Sequence, residues 1–424
     1  MRPDIRTRED AETVRERQPG TCNWDGCKDN DVKNLRRHMR EYHTLGARNR
    51  RSKINPKGDI SYDLKSDNSQ YALEAEKERE EDKEIRQNLL QELSDKKKRK
   101  RTRGGVDSCE TYGHFRDALP PISDERKGTV QAHFCTPEEA HILTESTIKV
   151  PIIVQDKSIF PWREGTSPIE QFFQDWLPDL KGKISVQNPN HRPKGCSYDI
   201  RTWEEVKTRF ESNQPHEDSR NVLDVWPFLP NMQPWYLANR NCQFLNQLLQ
   251  IDLSKKWSQR DVEATKAARW KNMVDGLLLS EGGGISSSHT DGRGFATYIR
   301  MLQGMEVFIW QAEVTEEEWD TWATDHSRNN GKVCFVVLRE NQTIIFPPGT
   351  IHSVARLNKE KTFCATGHFL QWSDLESWLK VLKKQHKDSQ TVNEDVGDDS
   401  ILSLLENAIA LIEGRIENQG EIAF

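Results

Sequence analysis

The chain has 424 residues, a formal net charge of −6 and only 34% apolar residues, which is low for one compact globule. No apolar run reaches the ~18–20 residues that a membrane span needs, and the opening residues MRPDIRTRED lack the apolar stretch of a signal peptide. We therefore expect an intracellular protein with reduced cysteines and no membrane partner.

Charge is distributed unevenly along the chain. Residues 1–103 hold 27 Lys and Arg against 21 Asp and Glu, a net charge of +6, whereas the remainder holds 34 basic and 46 acidic residues, a net charge of −12. A basic arm ahead of an acidic body predicts either a solvated tail or a segment that binds an acidic partner such as nucleic acid. Residues 1–18 are charged throughout, and we expect them to be disordered.

A metal-ligand pattern follows in residues 19–46. Cys22 and Cys27 are separated by four residues, and so are His38 and His43. Two cysteines on a turn and two histidines on successive helical turns supply the four ligands of a tetrahedral zinc site. The segment resembles a two-Cys, two-His zinc finger, although ten residues rather than the usual twelve separate the Cys pair from the His pair. We expect it to bind zinc and to contact nucleic acid or a chromatin protein.

Residues 47–105 are expected to form a charged connector. Residues 71–98 are rich in Ala, Leu, Glu, Lys and Arg, which favours a solvated spacer helix with one short apolar face. That face consists of Ile85, Leu89, Leu90 and Leu93. The helix runs into KKKRKRTR, in which seven of eight residues are basic, a pattern typical of a nuclear localisation signal. We predict that the protein is nuclear; a solvated basic patch is the alternative.

Residues 106–386 are predicted to form one globular domain. Short runs rich in Val, Ile, Phe and Thr between 276 and 370 predict strands, whereas the stretch 136–260 is expected to be mainly helical. Helix starts are marked by capping boxes, in which Glu follows Ser or Thr by three positions. These boxes begin at Thr136, Ser167, Thr202, Thr315 and Ser373. The order predicts a helical lead-in followed by a β-sandwich or small barrel.

Residues 387–424 contain a polar linker and then the segment SILSLLENAIALIEGRIENQ. The segment has the composition and apolar spacing of an amphipathic helix. We expect this C-terminal helix to pack back on the domain or to pair with a second copy.

The segment SSSHTDGRGFATYIR places His289 and Asp291 two positions apart. Side chains alternate along a strand, so these two are predicted to point the same way. A later segment, TIIFPPGTIHSV, supplies His352 as a third partner at the start of another strand. Two histidines and one carboxylate on one face of a metal leave other positions open, which is the arrangement of non-haem Fe(II) oxygenases. A lone His-x-Asp pair arises easily by chance, so the prediction depends on all these segments occurring in order.

The stretch 270–372 resembles the Jumonji-C domain, within the wider cupin group, in HTDGRGFATYIRMLQGMEVFIW, FPPGTIHSV and ATGHFL. The resemblance implies a mainly β double-stranded β-helix preceded by a helical cap. It also implies an iron site at His289, Asp291 and His352, with 2-oxoglutarate as the cosubstrate. Hydroxyl groups that would help to bind the cosubstrate are implied at Ser286, Thr297 and Tyr298.

The sequence departs from the family at Glu306, where the family has a lysine that pairs with the distal carboxylate of 2-oxoglutarate. Two carboxylates 4 Å apart repel by roughly 1 kcal/mol in water and by several times more in a drier site. Cosubstrate binding then requires another cation. The candidates are Arg300, Arg356 and Lys361.

Three functions remain open from the sequence. The first is an Fe(II)- and 2-oxoglutarate-dependent hydroxylase or demethylase that acts on a protein or nucleic acid. The second is a catalytically silent protein that keeps the Jumonji-C fold for binding. The third is a nucleic-acid or chromatin adaptor in which the zinc finger is the principal part and the cupin body is accessory.

Overall fold

A computed structural model of the protein describes the following residues: 53–54, 60–61, 80–95, 112–123 except 114, 128–156, 162–188 except 178, 197–212, 216, 218–225, 232–254, 274–388 except 327 and 329–330, 391–392 and 398–417. The chain divides into two units, residues 1–77 and 78–424. The zinc-ligand candidates in residues 19–46 and the basic run 96–103 lie outside the described residues.

The described residues of the first unit form an antiparallel strand pair, β1 (Lys53–Ile54) and β2 (Ile60–Ser61). The second unit begins with helix α1 (80–95), followed by β3 (His133–Cys135), α2 (Pro137–Thr144), β4 (Ile152–Gln155), α3 (Pro168–Gln171) with a π-helical turn (Phe172–Trp176), β5 (Lys183–Asn188), β6 (Ser197–Thr202), α4 (Trp203–Glu211), β7 (Asn221–Val225) and α5 (Phe244–Ser254). It continues with β8 (Gly276–Ser280), β9 (Ile285–His289), β10 (Ala296–Gln303), β11 (Glu306–Ala312), α6 (Glu316–Thr324), β12 (Lys332–Leu338), β13 (Gln342–Phe346), β14 (His352–Ala355), β15 (Thr362–Phe369), α7 (Leu375–Lys387) and α8 (Asp398–Glu417).

Two sheets make the second unit a mainly β domain with helices around it. The larger sheet has nine strands in the order β3-β4-β13-β10-β15-β8-β7-β5-β6, and the smaller sheet has four in the order β12-β11-β14-β9. The pair β3–β4 is parallel, and the other pairs in these sheets are antiparallel. One buried cluster takes Met301 and Phe346 from the larger sheet and Phe308 and Val354 from the smaller one. The two sheets therefore pack face to face, and we call the space between them the interior.

The stretch 136–260, expected to be mainly helical, is mixed. It contains β4 to β7, of which β7, β5 and β6 extend one edge of the nine-stranded sheet. The runs KISVQN and SYDIRT form β5 and β6 and pair with each other along their whole length. Their short, half-polar sequences give only a weak strand signal.

Four of the five predicted capping boxes form. Thr136, Ser167, Thr202 and Thr315 each accept from the backbone N–H three positions on, with the reciprocal Glu contact. The prediction at Ser373 was wrong: α7 begins at Leu375 after a 3-10 turn, and its N-cap is Asp374. The Ser373 hydroxyl instead accepts a hydrogen bond of 3.0 Å from Asn241 Nδ2, so it does not cap the helix.

Both flanking helices pack on the domain. Helix α1 was expected to be a solvated spacer, but its Leu89 and Leu93 are buried in a cluster with Phe335 on the outer face of the four-stranded sheet. Helix α8 packs against α5, with Leu404 buried in a shared cluster and Asn407 Nδ2 donating to Leu248 O at 3.2 Å. Of the two roles expected for the C-terminal helix, the structure shows packing on its own chain.

Candidate metal centre

The three predicted iron ligands lie together where strands β9 and β14 meet. His289 ends β9, His352 begins β14, and the two residues are directly paired, with ring centroids 4.2 Å apart. Asp291 follows β9, and its Oδ1 lies 3.7 Å from Nε2 of each histidine. One ligand atom from each residue can be chosen so that all lie within 4.8 Å of one another. This buried cluster, which we call the triad, could hold a metal ion.

Backbone carbonyls fix the orientation of both imidazole rings. His289 Nδ1 lies 2.7 Å from Ser287 O, and His352 Nδ1 lies 3.0 Å from Thr350 O. A carbonyl oxygen only accepts, so each Nδ1 carries the proton and donates it. The lone pair of the neutral ring is therefore on Nε2, the atom directed at Asp291. Hydrogen bonding of the second ring nitrogen is the usual support for a metal-binding histidine.

A hydroxyl and a third histidine support the carboxylate. Thr297 Oγ1 donates to Asp291 Oδ2 and lies 2.9 Å from His368 Nδ1. Burial in itself raises the pKa of the Asp291 carboxyl, but the positive charge that His352, His368 and His289 carry when protonated, with the Thr297 hydrogen bond, holds this pKa below its ordinary value. A lowered pKa favours the ionised carboxylate, which is the form that binds a metal ion.

The turn that carries Asp291 is clamped by Gln385 of helix α7. The Gln385 side chain is buried; its Nε2 donates to Thr290 Oγ1 at 3.0 Å and to Asp291 O at 2.7 Å. Its Oε1 accepts from the N–H of Gly294 at 2.8 Å. Gln385 was not predicted from the sequence, because it lies more than ninety positions from the turn in a stretch with no ligand-like spacing.

A β-bulge brings Ser286 to the same side as the triad. In the β9–β14 pair, His289 lies opposite His352 and Ser286 lies opposite Val354, so β9 has one extra residue between these positions. Residues directly opposite each other in an antiparallel pair share a face. Ser286 and His289 therefore both face the interior although they are three positions apart.

Of the other two predicted hydroxyl residues, the structure places Thr297 at the triad and Tyr298 away from it. The Tyr298 hydroxyl donates to Asp275 Oδ1 at 2.6 Å. Its ring packs with Tyr236 and Ile345 in a cluster separate from the one in the interior. Adjacent residues of a strand point to opposite faces, so Thr297 and Tyr298 cannot both reach the same site.

At the other end of the interior, Glu306 forms a buried ion pair with Arg356. Arg356 Nη2 lies 2.5 Å from Glu306 Oε2, and Arg356 Nε donates to Thr362 Oγ1 at 2.7 Å. Glu306 is 2% exposed and Arg356 is 5% exposed. Glu306 lies two and four positions before Phe308 and Trp310, which belong to the interior cluster, so it shares their face.

The other two cations proposed as partners for the cosubstrate have different partners. Arg300 Nη2 lies 3.2 Å from Asp156 Oδ2. Lys361 Nζ donates to the carbonyls of Phe210 and Ser212 at 2.5 and 2.6 Å. Arg356 is therefore the candidate cation that meets Glu306.

A comparison with known protein-family models finds no family that matches the chain. Among the described residues, no helix is long and apolar enough to cross a membrane.

Proposed function

We propose that the chain is a nuclear Jumonji-C-like protein whose β domain is a double-stranded β-helix that holds Fe(II) at the triad. In this proposal the protein is an oxygenase that hydroxylates or demethylates a protein or nucleic-acid substrate. The observation that carries the proposal is the triad itself, with Asp291 Oδ1 at 3.7 Å from Nε2 of both histidines.

The donor set fits a redox-active divalent metal. Two neutral imidazoles and one carboxylate from a single protein face leave other coordination positions open, whereas structural zinc sites are closed by four protein ligands. Bound iron would supply the activation of dioxygen and of an oxo-acid cosubstrate.

The chain's own residues would orient and support such a metal. His289 and His352 present Nε2 because backbone carbonyls take their Nδ1 protons. Thr297 binds Asp291 Oδ2, which directs the other oxygen toward the histidines. Gln385 holds the turn that carries Asp291. These contacts would maintain the ligand geometry while the remaining coordination positions exchange small molecules.

The end of the interior that holds Glu306 and Arg356, which we call the inner end, does not fit 2-oxoglutarate in the way that the resemblance implies. A distal carboxylate there would meet the carboxylate of Glu306, and the guanidinium of Arg356 already pairs with that group.

The ion pair between Glu306 and Arg356 also favours the second candidate function, a Jumonji-C-like protein that binds without catalysis. The third candidate, a zinc-finger adaptor that binds nucleic acid or chromatin protein, is supported by the Cys22, Cys27, His38 and His43 spacing and by the basic arm.

The proposal is tested by loading the full chain anaerobically with Fe(II), measuring bound iron, and adding nitric oxide as a probe of open positions. The expected result is an S = 3/2 electron paramagnetic resonance signal in proportion to iron, absent in His289→Ala. Iron that binds without forming the nitric oxide adduct would support the second candidate function, a protein that keeps the fold but does not catalyse a reaction. Failure of iron to bind at the triad would reject the metal site.

A further inference from the structure

The inner end of the interior contains a cluster of buried polar side chains that are not metal-ligand candidates. Glu306, Arg356 and Thr362 lie on β11, at the end of β14 and on β15, so both sheets contribute to it. Asn221 of β7 is directly paired with Ser280, which in turn is paired with Thr362. All of these residues are buried.

The charges of this cluster cancel. The guanidinium of Arg356 meets one carboxylate, that of Glu306, at 2.5 Å, and uses its Nε on a neutral hydroxyl. Taking a further anion out of water is costly unless an opposite charge is available to it. The inner end therefore offers no net positive charge to a ligand that ends in a carboxylate.

Two polar atoms of this cluster have no hydrogen-bond partner in the described part of the chain. They are the donor Arg356 Nη1 and the acceptor Asn221 Oδ1, on side chains that are 5% and 0% exposed. Both border the position where a side chain on Gly284 would lie: a Cβ there would be 3.0 Å from Asn221 Oδ1, 3.0 Å from the backbone oxygen of Glu281 and 4.0 Å from Arg356 Nη1. Buried polar atoms are normally paired, so an unsatisfied donor beside an unsatisfied acceptor indicates a place for a group that both accepts and donates.

We infer that the interior takes a ligand whose inner end is an uncharged group that both accepts and donates hydrogen bonds, such as a primary carboxamide, and that Glu306 excludes ligands ending in a carboxylate. The inference rests on the proposed function in one respect, since the other end of the ligand would lie at the metal. The carboxamide oxygen accepts from Arg356 Nη1, and its N–H donates to Asn221 Oδ1. A carboxylate has no proton for Asn221 and is repelled by Glu306.

The test uses two oxo-acid analogues that differ only at the inner end, N-oxalylglycine and N-oxalylglycinamide. The full chain is first loaded with Fe(II) under argon, the metal content is measured, and each compound is titrated by calorimetry. We expect the amide to bind at least about tenfold more tightly than the carboxylate, a difference of the size that one unfavourable charge contact produces. Glu306→Gln is expected to reverse the preference, because it leaves Arg356 as an uncompensated cation.

Glu317→Gln serves as the matched control, because Glu317 is exposed on helix α6 and the preference should not change. Asn221→Leu is a second variant: it should weaken the amide without strengthening the carboxylate, and it keeps the inference testable if Glu306→Gln does not fold. Equal or tighter binding of N-oxalylglycine by the wild-type chain overturns the inference. So does binding of neither compound to the metal-loaded chain, which would mean that water alone fills the place. Failure to load the metal overturns the proposed function as well, and the metal assay identifies that case.

Discussion

The two ends of the interior differ in how their buried polar and charged side chains are paired. At the triad, backbone carbonyls, Thr297 and Gln385 take up the atoms that do not face the centre, so that three ligand atoms converge. At the inner end, Glu306 and Arg356 satisfy each other. Unpaired charge inside a protein is costly, so the buried carboxylate of Asp291 with its two histidines could hold a cation, whereas Glu306 and Arg356 already balance each other. The two ends therefore differ: the triad could hold a metal ion, whereas Glu306 and Arg356 balance each other's charge.

Breaking the ion pair between Glu306 and Arg356 is expected to have the largest effect, a decrease in the free energy of unfolding. Arg356→Met would leave Glu306 buried without its counter-charge, and loss of one partner of a buried pair costs about 3–5 kcal/mol. Urea denaturation should show this decrease in the free energy of unfolding. The double variant Glu306→Leu/Arg356→Met should recover most of it, since neither charge is then buried. A single variant as stable as the wild type would show that Glu306 is not a buried anion.

Removing a triad ligand is the next largest perturbation. His289→Ala should weaken metal binding by more than about 100-fold, since loss of a supporting contact alone costs 10–100-fold. Competition with a coloured chelator measures the change. His386→Ala is the control, because His386 is exposed on helix α7. Unchanged affinity in His289→Ala would place the metal elsewhere.

The clamp on the Asp291 turn should matter less than the ligand itself. Gln385→Leu removes the contacts to Thr290, Asp291 and Gly294. We expect metal affinity to fall by about tenfold. Because the partners are left unsatisfied, the free energy of unfolding should fall by about 1–3 kcal/mol. The exposed Lys383→Leu on the same helix should change neither quantity. A loss of stability with normal metal affinity would make Gln385 structural only.

The smallest effect is expected at Thr297. Thr297→Val keeps the shape of the side chain but removes the hydroxyl between Asp291 and His368. Asp291 keeps its charge and its other oxygen, so the metal affinity should fall by no more than about tenfold. The same chelator competition measures this change. An effect as large as that of His289→Ala would mean that Thr297 is itself a ligand.

The sequence predicted the triad because its ligands stand in short local patterns, a His-x-Asp pair and a Pro-Pro-Gly turn before His352. It also predicted the mainly β character, since strands β8 to β15 are rich in branched and aromatic residues. Contacts between distant residues could not be predicted in this way. Gln385 reaches Asp291, and Arg356 reaches Glu306, only after both sheets have formed. Tyr298 shows the same limit, because strand alternation alone does not say which of two adjacent residues faces the interior.

The proposed metal centre is tested most directly by an anomalous difference map at the iron edge, from crystals of the full chain grown with Fe(II) under argon. We expect a peak within coordination distance of His289 Nε2, His352 Nε2 and Asp291 Oδ1, with non-protein density at the remaining positions. Iron present in the crystal with no peak at the triad would show that these three residues do not form the metal centre.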